Sequence, residues 1–226
     1  MADTYHEIIC GDCLEVMKWL PDKSVDMVLS DIPYGVVNRS SGGLRNLNKG
    51  QADVETFLLE ELIPELARVV KGSIYLFCSG EQISPITNLL HTQDMTTRLG
   101  IWHKTNPSPM NGQRLWLSGI EACVFGRFPN ATFNEHCKSA VWSAPSGRSK
   151  IHPTQKPLVL FERLVLASSN PGDTILDNCC GSGTTGVACY NTGRNSIQID
   201  ISQEYCDIAR KRLADAQQQP TANKGE

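Results

Sequence analysis

From Asp173 to Asp200 the chain reads DTILDNCCGSGTTGVACYNTGRNSIQID, and few architectures accept residues in that order. A short apolar run ends in an acid, Asp177. A glycine-bearing turn follows (Gly181, Ser182, Gly183), Thr184 and Thr185 open a helix, and a second apolar run ends in Asp200. Glycine allows a tight turn and the close approach of a ligand to the backbone, and small hydroxyl residues suit the cap of a new helix. An acid closing the following strand is placed to accept the ribose hydroxyls of a nucleoside. The unit therefore predicts a nucleoside cofactor. Gly181, Gly183 and Gly186 also satisfy G-x-G-x-x-G, so this stretch alone leaves a nicotinamide dinucleotide open.

The same alternation of strand and helix runs through most of the chain. Strands are expected at 7–10, 24–30, 72–79, 96–104, 174–177 and 194–200, and helices at 13–20, 54–70 (interrupted or kinked near Pro64), 81–91, 157–169 with Pro157 as first residue, and 202–216. Such alternation predicts an α/β fold with a doubly wound, mostly parallel, Rossmann-like sheet. One domain is expected over 1–216, with a loop-rich insertion at about 105–151 holding NPSPMNG, FPNA and SAPSGRSK with strand-like IEACVFGR between them, and a disordered tail at 217–226. After Asp200 only one helix remains, so the next strand of the sheet is expected from the N-terminal EIICGD. In doubly wound sheets ligands bind beyond the carboxyl ends of strands. Asp177 and the acid of VLSDIPYG (28–35) both end strands, so they can share one cleft.

Charge qualifies the picture. The net charge is −3, but from Arg98 to Lys156 eight basic residues face only Glu121 and Glu135, leaving that segment at +6 and the remainder at −9. A polyanion-facing surface on an acidic scaffold has this distribution. The nine cysteines are scattered among apolar neighbours, and CGDC (10–13) lacks a second ligand pair, so no structural metal is expected. No stretch approaches the roughly 18 apolar residues of a membrane span and the start lacks a secretory signal, which makes a soluble, cytoplasmic protein the expectation.

Four motifs in order carry a family likeness: CGDCLEVM (10–17), DIPY (31–34), HPTQKP (152–157) and DNCCGSGTT (177–185) followed by QIDISQEY (198–205). With them the chain resembles the S-adenosylmethionine-dependent DNA amino-methyltransferases, in the permuted class whose catalytic motif precedes the cofactor motif. The resemblance implies S-adenosyl-L-methionine as cofactor and double-stranded DNA as partner. It implies catalytic work for Asp31, Ile32, Pro33 and Tyr34. Asp31 and the Ile32 carbonyl would accept the two N–H groups of the target amine and free its lone pair, Pro33 would hold Ile32 extended, and Tyr34 would stack on the extruded base. The cofactor would be held by Asp177, Asn178, Cys179, Gly181, Ser182, Gly183, Thr184, Thr185 and Asp200, with Asp12 at its adenine and Thr154, Gln155 and Lys156 near its methionine end. Asp at position 31 points to adenine N6, since similar cytosine-N4 enzymes usually carry Ser there.

Arg39, Arg45 and Lys49 in the long loop after Tyr34, with Lys104, Arg114, Arg148 and Lys150, are the candidate DNA contacts. Two residues depart from the family pattern: Ile32 stands for a proline, and Asn178–Cys179 for proline–phenylalanine, which removes an aromatic surface. N4-cytosine methylation, a DNA-binding relative impaired in catalysis and a nicotinamide oxidoreductase are the competing readings. The short recognition segment is compatible with a small target or a homodimer.

Overall fold

The structure, a computed structural model, describes residues 4–34, 57–109, 112–147 and 155–218. Its elements in chain order are β1 (His6–Cys10), α1 (Cys13–Met17), β2 (Val25–Asp31), α2 (Leu59–Val69), β3 (Val70–Cys78), α3 (Ile83–Thr92), β4 (Thr96–Lys104), β5 (Ile120–Arg127), β6 (Val141–Ala144), α4 (Leu158–Ser168), β7 (Thr174–Asp177), α5 (Thr184–Thr192), β8 (Asn195–Asp200) and α6 (Gln203–Gln218). The eight strands form one sheet in the order β1-β8-β7-β2-β3-β5-β4-β6. Strands β1, β8, β7, β2 and β3 run parallel, and β5 is antiparallel to both of its neighbours.

Residue parity along the central strands separates two cores. On β3, Ile74, Leu76 and Cys78 face one side, packed with Met17, Leu62, Ile63, Leu66, Ile86 and Leu90 from α1, α2 and α3. Tyr75 and Phe77 face the other, with Leu160, Phe161, Leu164 and Val165 of α4 and Ala188 and Cys189 of α5. A period of two in the side chains, with apolar residues at both parities, is the pattern of a strand buried on both faces. The opposite carboxyl-end edge of the sheet is left to ligands.

Three expectations change. The helix over Pro64 is not interrupted: α2 runs through that residue, its apolar face holding it although proline supplies no N–H to the Glu60 carbonyl. The segment 105–151 is not wholly an insertion, because β5 lies between β3 and β4 and β6 pairs with β4; its non-sheet stretches are the connections around them. No hydroxyl caps α5. Gly183 occupies the cap at φ +76°, and Thr185 instead bonds the Asp177 carboxylate. The strand borrowed from the N-terminus is present, with β1 parallel to β8 and Cys10 opposite Asp200. Among the described residues no helix is long and apolar enough to cross a membrane.

Gly183 is in the left-handed region, and a methyl group built there would lie 2.7 Å from the Ala209 Cβ of α6. Gly183→Ala is therefore expected to lower stability by about 1–3 kcal/mol, read as a lower midpoint in urea unfolding. An unchanged midpoint would contradict the packing of α5 on α6.

Candidate active site

Strands β2, β7 and β8 end side by side in Asp31, Asp177 and Asp200. Beyond them opens a cleft of about 880 Å³, counted to its mouth, whose lining includes Asp31, Lys156, Asn178, Gly181 and Asp200. The acid after β2 and the glycine turn after β7, distant in sequence, thus share one wall.

Each acid has a different task. Asp177 is buried and accepts from the Ser30 hydroxyl (2.8 Å), the Thr185 hydroxyl (2.5 Å) and the Cys179 amide (3.2 Å). It ties β2 to α5, and burial pushes its carboxyl up to about 7. Asp200 accepts the Gly181 amide at 2.8 Å and the Ser202 amide at 2.9 Å, so it fixes the glycine turn while bordering the cleft; burial raises it too. Each of its oxygens keeps a second acceptor position. Asp12 caps α1, its Oδ1 accepting from Leu14 N and Glu15 N at 2.8 and 3.2 Å, while its neighbours Gly11 and Cys13 line the cleft. Ser182 and Thr184 line it as well, and both are also reached by the Arg212 guanidinium.

Around Asp31 four charges alternate. Lys104 Nζ lies 2.7 Å from Glu121 Oε1, Lys156 Nζ 3.0 Å from Glu121 Oε2, and Lys156 Nζ 2.5 Å from Asp31 Oδ2. The Tyr34 hydroxyl donates to Asp31 Oδ1 at 2.8 Å. Lys156 is only 5% exposed. Burial opposes its charge, but Asp31 and Glu121 outweigh that and hold the ammonium above the usual lysine range. Burial raises Asp31 against the pull of Lys156. Glu121 is also opposed by burial, yet its two lysines carry it below the ordinary carboxylate value. Burial and the adjacent carboxylates push the Tyr34 phenol well up, so it stays protonated and donates.

The backbone of the DIPY segment is pinned. Ile32 is 1% exposed and packs into the core under α1–α3, and its amide donates to the Phe77 carbonyl at 3.3 Å. The Pro33 carbonyl accepts from Gln82 Nε2 at 2.9 Å, and Gln82 Oε1 accepts the Ser79 amide at 2.9 Å.

Several sequence expectations are redistributed by this geometry. Lys156 borders the cleft, its ammonium paired with Asp31 and Glu121. Gln155 lines the cleft. Lys104 is drawn into the ion chain and is no simple phosphate contact. Arg114 is exposed. Thr154, Arg39, Arg45, Lys49, Arg148 and Lys150 lie outside the described residues. Glu121 and Gln82 were missed. Glu121 had one sequence signal, an acid opening the strand IEACVFGR within a basic stretch; Gln82 had none. Asn178 and Cys179 both line the cleft. Asn178 Oδ1 is buried without a hydrogen-bond partner among the described residues.

A carboxyl whose folded-state pKa is raised favours folding below its ordinary value, near 3.8, and that contribution is lost as pH rises through about 7. Asp177→Asn keeps the shape and removes the titration. Its thermal midpoint is expected to gain on the wild type progressively between pH 4 and pH 7. A constant offset across that window would show that Asp177 is not buried at a cost.

Comparison with known proteins agrees with this arrangement. The family model described as DNA methylase matches residues 113–211. The Type II methyltransferase M.HinfI of Haemophilus influenzae is 32% identical, the match covering 96% of this chain and 71% of that protein. The Type II methyltransferase M.HpaI of Haemophilus parainfluenzae is 31% identical over 91% of this chain and 73% of its own length. Among solved structures, M1.HpyAVI in complex with SAM superimposes with a TM-score of 0.73 at 31% identity, covering 92% of this chain and 98% of that one. Fold, cleft and relatives converge: this chain belongs to the N6/N4 DNA methylase family and is a methyltransferase.

Proposed function

We propose that this protein transfers a methyl group from S-adenosyl-L-methionine to the exocyclic N6 of adenine in double-stranded DNA. The observation that carries the reading is the single cleft shared by Asp31 and the Gly181–Gly183 turn.

The chain's own residues suit that cofactor. Asp200 presents acceptor oxygens beside the turn, as a ribose diol requires. Ile201, half exposed on the cleft wall, offers an apolar surface for a base. The orphan Asn178 Oδ1 fits a ligand that brings N–H donors. When bound, the cofactor supplies an electrophilic methyl on a sulfonium. Asp31 has Tyr34 on one oxygen and Lys156 on the other, and each oxygen retains an acceptor position for an amine N–H. A charge-assisted hydrogen bond of this kind contributes about 1.5–3 kcal/mol, and it draws the amine nitrogen away from conjugation with the ring. Burial raises Asp31, and the Lys156 ammonium opposes that rise and so favours the anionic acceptor form. Anchoring of Ile32 and Pro33 on both sides fixes the main chain at that point, which is why a side chain other than proline is tolerated at 32. The target amine lies inside a duplex, so the base must be extruded to reach the cleft. Asp, not Ser, at position 31 directs the reading to adenine.

The protein incubated with methyl-labelled cofactor and plasmid DNA, followed by digestion to nucleosides, is expected to place label in N6-methyladenine. Label only in N4-methylcytosine would move the reading to cytosine, and label in neither would overturn it. Asp31→Ala is expected to lose about 10- to 150-fold in transfer with cofactor binding retained in calorimetry. Lys156→Met removes the cation that opposes burial of Asp31, so the acidic limb of the pH–rate profile should move to higher pH; a profile unmoved along the pH axis would refute that role.

A further inference from the structure

The β4–β5 connection presents three adjacent apolar side chains to water. Leu115 is 70% exposed, Trp116 99% and Leu117 45%. Surfaces rarely carry such a run unless a partner covers it. The loop is nevertheless built. The Lys104 amide donates to the Gly119 carbonyl at 2.8 Å and the Gly119 amide to the Leu117 carbonyl at 2.7 Å. Leu117 folds back over Gly112, where an added methyl would meet its Cδ2 at 2.8 Å. With Leu117 partly covered, Trp116 is the most exposed member of the run.

The roots of this loop are the outer half of the charge chain. Lys104 ends β4 and Glu121 lies at the start of β5, and Glu121 reaches Asp31 through Lys156. Glu121 is five positions on from Trp116, at most about 18 Å of extended chain, so the indole is rooted within that reach of the charge chain. Arg114 adds a cation next to it, within the segment of the sequence where basic residues outnumber acidic ones.

We propose that Trp116 is a wedge that enters the base stack of duplex DNA at the target position, with Arg114 on a neighbouring phosphate. The inference rests on the reading of this protein as a DNA adenine methyltransferase and names the side chain that opens the duplex for it. Extruding a base leaves two neighbours without a stacking partner. A flat indole supplies one, and apolar side chains inserted between base steps unstack and kink duplexes in this way. Exposure in the free protein is the cost of having that surface ready.

The modified site is first mapped on plasmid DNA with the wild-type protein. Two duplexes containing it are then compared, one with the target adenine paired and one with it opposite an abasic position. Trp116→Ala is expected to lower kcat/KM about tenfold or more on the paired duplex, the scale of one lost base–aromatic stack. On the abasic duplex it should stay within about twofold of wild type, and Trp116→Phe should recover most of the loss. No loss on the paired duplex, or an equal loss on both, would overturn the wedge. So would a wild-type dimer that Trp116→Ala converts to monomer in sedimentation without DNA, which would make a second copy the occupant. A wild-type protein that methylates no DNA removes the underlying reading instead, and is distinguished by the first step.

Discussion

Lys156 buries its ammonium between two carboxylates, and much of the geometry at the carboxyl end of the sheet follows from keeping that charge paired. An isolated buried ion costs several kcal/mol, and removing one partner of a buried pair costs about 3–5 kcal/mol. The lysine, immediately ahead of the cap of α4, therefore has to find Asp31 at the end of β2 and Glu121 at the start of β5. Lys104 at the end of β4 balances the second acid. Four elements are drawn to one point, 125 residues being spanned by the Asp31–Lys156 contact alone. The charge chain beside the cleft and the closure of this end of the sheet are the same set of contacts.

The scaffold was legible because its signals are local. Strands such as TTRLGIWHK and IEACVFGR coincide with β4 and β5 residue for residue, since alternation and β-branched content act over a few residues. Asp31, Asp177, Asp200 and the glycine turn were readable for the same reason: each sits in a contiguous motif at a strand end. Less visible was how the charges pair. Lys156 sits in a motif whose neighbours resemble a cofactor site, yet its partner is chosen by a strand pairing between β3 and β5 that brings Glu121 alongside Asp31. Gln82 anchors Pro33 from across 49 residues, a contact with no trace in spacing. The middle of the chain misled because Pro- and Gly-rich connections hide β6 and the place that IEACVFGR takes within the main sheet.

The departures from the family pattern are absorbed by packing. Ile32 places its side chain in the core that a proline ring would have met less fully, and hydrogen bonds at its own amide and at the Pro33 carbonyl restrain the same peptides. Cys179 packs partly buried against that core as well, and the apolar wall of the cleft comes from Phe57, Phe161 and Ile201. Neither change removes an acceptor from the cleft.

Pairing of β1 with β8 has a consequence for synthesis. The Tyr5 amide donates to Asn195 across 190 residues, and Arg210 of α6 reaches the Ile8 carbonyl. On a ribosome β1 waits for its partner until β8 has emerged, 190 residues later. Asp200, the last acid of the cleft, arrives on that same late strand. A nascent chain can therefore assemble the Asp31 end of the sheet early, while the Asp200 side of the cleft waits for β8 and for the strand that flanks it.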